Sequence, residues 1–163
     1  MPEALTLQQY FTVPDGTRRD LVYFAELTDE IQSNAEKLLP IVDKLLARME
    51  AGGVQILTDK GTGSPIHSGW RPSAVNEQTS NAGAHSNHLK GLAVDLLDPQ
   101  RKLGTWAVNN LPALQELGLW MEDPRWCPTW LHVQCVPPAS NHLVYVPSAN
   151  PPLASLLPGQ RVA

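Results

Sequence analysis

Ser86-Asn87-His88-Leu89-Lys90-Gly91-Leu92-Ala93-Val94-Asp95 is the stretch on which the reading of this chain turns. From Gly91 to Leu97 apolar residues alternate with others, so Leu92, Val94 and Leu96 face one way and Ala93 and Asp95 the other, as in a strand. A second alternating run follows from Trp130 to Val136. Leu131, Val133 and Cys135 take one face there, and Trp130, His132 and Gln134 the other. Two such strands, adjacent in an antiparallel sheet, bring Asp95 and His132 over one cleft. His88, at the mouth of the first strand, is close enough in sequence to reach it. Two imidazoles and a carboxylate at about 2.0–2.2 Å suit zinc, and three protein ligands leave a fourth position open for water. On spacing alone, the competing reading is three unrelated polar residues.

Working outward, Thr28 is a helix N-cap followed by Asp29 and Glu30, whose charges suit the positive end of a helix. Ile31, Ala35, Leu38, Val42, Leu45 and Met49 then recur every three or four residues, which predicts an amphipathic helix ended by Gly52-Gly53. Pro40 inside it predicts a kink or a break into two helices. Val54 to Leu57 reads as a short strand, and Ser73 to Asn87 as a long loop without period. Leu103 to Leu117 reads as helical, with Pro112 as a dividing point, and Leu119 to Glu122 as another strand. The expected class is α+β, with a small antiparallel sheet carrying the metal site and helices packed on it. The chain divides into a mainly helical part (1–53), a metal-site core (54–136) and a Pro-rich tail (137–163), all within one domain.

A length of 163 residues fits one core of useful size. A formal net charge of −4 and the lack of any Lys/Arg-rich run give no reason to expect a nucleic-acid partner. No apolar stretch approaches the roughly 20 residues that span a bilayer, so no membrane insertion is expected. The start, Met-Pro-Glu-Ala-Leu-Thr-Leu, lacks the basic and apolar blocks of a secretory signal, which predicts synthesis in the cytoplasm. Two cysteines, Cys127 and Cys135, do not make a disulfide framework. They flank His132 and offer a rival metal set, which strand alternation disfavours because Cys135 faces away from His132. Trp120, Trp126 and Trp130 crowd one segment and read equally as a cleft wall or as core.

The quoted stretch fits S-x-H-x-x-G-x-A-x-D at every fixed position, Trp130-Leu131-His132 supplies a downstream W-x-H, and Ser68-Gly69-Trp70-Arg71 matches S-G-[WY]-R. Together these resemble the zinc D-Ala-D-Ala carboxypeptidase family, which shares a fold with lysostaphin-type peptidases and the hedgehog signalling domain. Glu26-Leu27-Thr28, Asn34-Ala35 and Glu122-Asp123-Pro124 extend the resemblance toward phage or prophage members. The resemblance implies one zinc ion per chain on His88, Asp95 and His132. It also implies that Ser86 and Gly91 shape the ligand loop, with Ser86 near the ligands, and that Arg71 holds a substrate carboxylate or carbonyl. Trp130 joins Arg71 and Ser86 as an expected substrate contact.

One position departs from the pattern. Members that carry a general base in E-x-x-H or D-x-x-H place it three residues before the last ligand, where this chain has Thr129. The nearest carboxylates are Glu122 and Asp123, of which Glu122 is the expected base and Asp123 the alternative. His85 is a further candidate for substrate contact, while His67 and His142 read as ordinary surface residues. The function these features imply is hydrolysis of an amide bond in a peptidoglycan stem peptide, as a DD-carboxypeptidase or an endopeptidase. The implied setting is a lysin released by a holin, or a virion-associated wall hydrolase acting at the cell wall. The competing function is a catalytically dead zinc-binding structural or wall-binding module of a phage particle.

Overall fold

The computed structural model describes residues 3–79 and 82–147; the end of the Pro-rich tail assigned from sequence lies outside them. Among the described residues, six α-helices and five strands make a mixed α+β fold. The helices are α1 (Leu7–Phe11), α2 (Arg19–Val22), α3 (Asp29–Ala51), α4 (Ser73–Gln78), α5 (Lys102–Asn109) and α6 (Leu111–Leu117). The strands are β1 (Ile66–Ser68), β2 (Ala93–Leu97), β3 (Trp120–Glu122), β4 (Trp130–Gln134) and β5 (Val144–Tyr145). They form one sheet in the order β1-β2-β4-β3-β5. Every pairing is antiparallel except β3 with β5, which run parallel, so the sheet is not antiparallel throughout.

Helix α3 is the main support of the sheet. Thr28 caps it by accepting from the Ile31 N–H, Asp29 and Glu30 occupy its first turn, and Gly52 closes it. Its apolar stripe of Ala35, Leu38, Leu39, Val42, Leu45, Leu46 and Met49 is buried, and joins Val94, Leu96, Leu131 and Val133 from the sheet in one core. The expected break at Pro40 does not occur, and α3 is one helix of 23 residues. Proline removes one backbone donor at an exposed position. Seven buried side chains on the opposite stripe hold the helix together across that gap.

Two other expectations are corrected. Val54–Leu57 is not a strand; Val54 and Ile56 pack against the core without strand pairing. The edge strand is instead β1, which pairs with β2 through an irregular register at Ile66 and Ser68. The segment read as one long loop contains α4 and ends in a 3-10 turn over Asn87–Lys90. The helical stretch before β3 divides at Asn110, with Pro112 in the first turn of α6, a place where its missing N–H is no loss. Among the described residues, no helix is long and apolar enough to cross a membrane.

Candidate metal centre

Strand register places the first two ligands. Asp95 of β2 lies directly opposite His132 of β4 in the antiparallel pairing, and the His132 Nδ1 is 2.8 Å from the Asp95 Oδ1. His88 reaches the same point from the 3-10 turn before β2. Its Nε2 lies 3.2 Å from the Asp95 Oδ1 and 3.2 Å from the His132 Nδ1. All three residues are buried. Among the described residues, His88, Asp95 and His132 form the group that can hold a metal ion.

The turn that carries His88 is fixed by reciprocal contacts. The His88 Nδ1 faces the Gly69 carbonyl at 2.7 Å, the Arg71 N–H donates to the His88 carbonyl at 3.0 Å, and the Trp70 indole donates to the Leu89 carbonyl at 3.2 Å. Asn34 of α3 donates to the Lys90 carbonyl at 2.9 Å. Gly91 ends the turn at φ 73°, and a Cβ there would stand 2.6 Å from the Ile31 carbonyl oxygen. Only glycine satisfies both the left-handed backbone and this approach to α3. Ser86, expected near substrate, accepts the His88 N–H at 3.3 Å and so serves the turn.

The tautomers follow from these partners. A carbonyl only accepts, so the His88 Nδ1 facing Gly69 carries the proton and leaves a lone pair on Nε2. On the other imidazole, Nε2 lies 2.9 Å from the Gln134 Oε1. The Gln134 amide donates to the Val136 carbonyl at 2.9 Å, which fixes its oxygen toward the ring. The Tyr145 hydroxyl donates to that same oxygen at 2.6 Å. His132 therefore carries its proton on Nε2 and turns the Nδ1 lone pair to Asp95. Three lone-pair atoms meet at 2.8–3.2 Å with no donor between them. Such a set attracts a cation, whether a proton or a metal.

The electrostatics agree. Burial alone would lower the His132 pKa, but the hydrogen bond and charge of Asp95, with Glu122 adding to them, push it up to about 9. His88 is lowered, burial outweighing the pull of Asp95. Burial works against the Asp95 carboxylate, yet the two imidazoles hold it far below the usual carboxylate range. Compared with protein-family models, with curated proteins and with solved structures, the chain matches none. The centre is thus read from its own geometry.

Around it stand the other expected residues. Arg71 is buried, with Nη2 3.8 Å from the Asp95 Oδ2 and Nη1 donating to the Asn76 side chain at 3.2 Å. Glu122 ends β3, opposite Tyr145 of β5 in the register. Burial raises its pKa, partly countered by His132, and both Asp95 and Arg71 feel or exert its field, so its carboxyl belongs to this cleft. Asp123 does not share that position. Both its oxygens are taken by the Arg125 guanidinium, at 2.6–3.1 Å, and Oδ1 also caps the turn that follows. Thr129 is exposed at the start of β4, and its carbonyl accepts from the Asp98 N–H at 2.9 Å.

Trp130 is half-buried and stacks on His67, with ring centroids 6.3 Å apart and planes at 15°. His67 is therefore no ordinary surface residue, whereas His85 and His142 are exposed. Cys127 and Cys135 are free thiols and neither belongs to the metal group. Gln134, Tyr145 and Asn76 were not singled out by sequence. Gln134 carried a signal, since strand alternation puts it on the face of His132. Tyr145 lies on a two-residue strand that no pattern announces.

Proposed function

We propose that the chain is a zinc-dependent peptidase that hydrolyses an amide bond in a peptidoglycan stem peptide, as a member of the zinc D-Ala-D-Ala carboxypeptidase family. The observation that carries this reading is the convergence of the His88 Nε2, Asp95 Oδ1 and His132 Nδ1 lone pairs, with both tautomers fixed from outside. Tetrahedral zinc with bonds of about 2.0–2.2 Å separates its ligand atoms by roughly 3.3–3.6 Å. The observed 2.8–3.2 Å requires only a slight opening of the set. Nitrogen and carboxylate donors of this kind suit zinc, and a set of three keeps one position for water or substrate.

When bound there, zinc would supply a Lewis acid for the scissile carbonyl and lower the pKa of water toward ~7. The chain's own groups do the rest. Glu122, its pKa raised by burial, is suited to accept a proton from water and return it to the leaving amine. Arg71, held by Asn76, presents a permanently charged fork that orients a substrate carbonyl or carboxylate. Gln134 and Tyr145 hold the His132 ring in place. The Trp130–His67 stack lines one end of the ligand face, where a peptide can lie.

A second reading is favoured by Thr129, which gives the usual base position no acid. In it the domain binds zinc but is a structural or wall-binding part of a phage particle. Digestion of purified peptidoglycan by zinc-loaded wild type, EDTA-treated protein and Glu122→Ala separates the two. Release of peptide fragments by the zinc-loaded wild type, and loss of it on chelation, is expected. Zinc-loaded protein that releases nothing sinks the peptidase. Full activity in Glu122→Ala retires only that residue as base.

A further inference from the structure

Asn76 lies on α4, which carries none of the site residues expected from the sequence. It is buried, and both ends of its side-chain amide are in use. Its Oδ1 accepts from the Arg71 Nη1 at 3.2 Å, and its Nδ2 donates to the Gly83 carbonyl at 3.1 Å. A guanidinium only donates and a carbonyl only accepts, so the two partners fix which way the amide points. An aspartate would set oxygen against oxygen at Gly83, and an apolar residue of the same size would leave both partners unmatched.

Those two bonds close a circuit between the arginine and a candidate metal ligand. The Gly83 carbonyl also accepts the Ser86 N–H at 3.1 Å, and the Ser86 Oγ accepts the His88 N–H at 3.3 Å. The His88 carbonyl in turn accepts the Arg71 N–H at 3.0 Å. Arg71 and His88 are thus joined through backbone on one side and through the Asn76 side chain on the other. α4 is itself pinned from the N-terminal part of the chain, where the Glu26 Oε1 accepts both the N–H and the hydroxyl of Ser73. The Asp95 Oδ2 stands 3.8 Å from the Arg71 Nη2, within ion-pair distance but too far for a hydrogen bond. Among the described residues, Asn76 is therefore the side chain that sets the direction of the guanidinium.

We propose that Asn76 is a positioning residue, which aims the Arg71 guanidinium at the bound peptide and keeps it in register with His88. The proposal rests on the reading of Arg71 as a substrate contact, but not on zinc being the metal or on hydrolysis. An arginine side chain that turns freely must be ordered each time a ligand binds, at a cost in entropy. One already held by a buried amide is ordered beforehand. The amide is neutral, so it steers the fork without cancelling the charge that a substrate carbonyl meets.

The test is a double-mutant cycle, read by NMR titration of EDTA-treated protein with the acetylated stem pentapeptide L-Ala-γ-D-Glu-L-Lys-D-Ala-D-Ala. Asn76→Ala is expected to weaken binding about tenfold. In an Arg71→Lys background, which keeps the charge but lacks the fork, the same change should cost little, because a residue acting through the guanidinium has nothing left to aim. An equal loss in both backgrounds is what a merely structural Asn76 gives, and it overturns the proposal. Unchanged binding in Asn76→Ala overturns it as well. Should Asn76→Ala not fold, Asn76→Ser takes its place in the cycle. The wild type offers a check that needs no variant: the Arg71 Nη protons should show NOEs to the Asn76 side chain, and their absence overturns the proposal. A wild type that does not bind the peptide at all also overturns it. Peptide that binds with the expected pattern, yet is left uncut by zinc-loaded protein, supports the proposal and refutes the peptidase reading alone.

Discussion

Gln134 does for His132 what the Gly69 carbonyl does for His88: it takes the outer N–H and leaves the inner nitrogen free. Partners of this kind govern metal affinity about as strongly as some ligands do. Gln134→Leu should therefore weaken zinc binding by about 10–100-fold, read by competition with a chromophoric chelator. Unchanged affinity would mean that the ring holds its tautomer without help. A second prediction concerns pH. In the metal-free protein, the His132 pKa is raised from its ordinary value to about 9. A raised folded pKa contributes stability that is complete below the unfolded value, near 6.5, and is lost as pH rises through the folded one. Metal-free protein should therefore lose stability between about pH 6.5 and 9, as urea melts at several pH values would show. Zinc-loaded protein should lose little over that range, because the metal takes the place of the proton.

Elements differ in how openly the sequence declares them. Helix α3 could be read at both ends and along its buried stripe, because seven buried side chains repeat at helical spacing between a threonine cap and a glycine stop. β2 and β4 could be read from alternation, and the structure pairs them in a register that sets Asp95 opposite His132. β1 and β5 could not. With three and two residues they are too short to show a period, and they exist because a sheet edge was available to pair with. The candidate site divides the same way. Asp95 and His132 stand on readable strands, while His88 comes from a turn and Tyr145 from β5, which only tertiary packing places. Pro40 misled the reading because local chemistry predicted a break that core burial overrides. Its cost should still be present. Pro40→Ala is expected to raise stability by about 1–2 kcal/mol, the helix penalty of proline less its stiffening of the unfolded chain. A melt that falls instead would show that the proline makes contacts of its own.

At the scale of the whole molecule, the candidate metal centre ties together parts of the chain that are far apart in sequence. β1, the His88 turn, β2 and β4 meet at it, and the Tyr10 hydroxyl of α1 donates to the Ala93 carbonyl at 2.8 Å, next to the same strand. An ion bound there is bound only by the folded state, so it should stabilise the entire domain. Zinc at about 100 times its dissociation constant contributes roughly 2.7 kcal/mol. For a domain of this size that is a rise in melting temperature of about 5–10 °C over EDTA-treated protein. Differential scanning calorimetry reads this directly, and coincident melts with and without zinc would show that the centre takes no metal.

The short parallel strand β5 has a consequence for how the protein is born. Tyr145 follows all three ligands in the chain and steadies the amide that fixes the His132 ring, so a polypeptide still emerging from the ribosome carries all three candidate ligands before it can hold the last of them in place. Secure holding of His132 therefore waits until Tyr145 has left the ribosome. Released chains truncated before Tyr145 should take up metal loosely and release it, whereas chains that include it keep it.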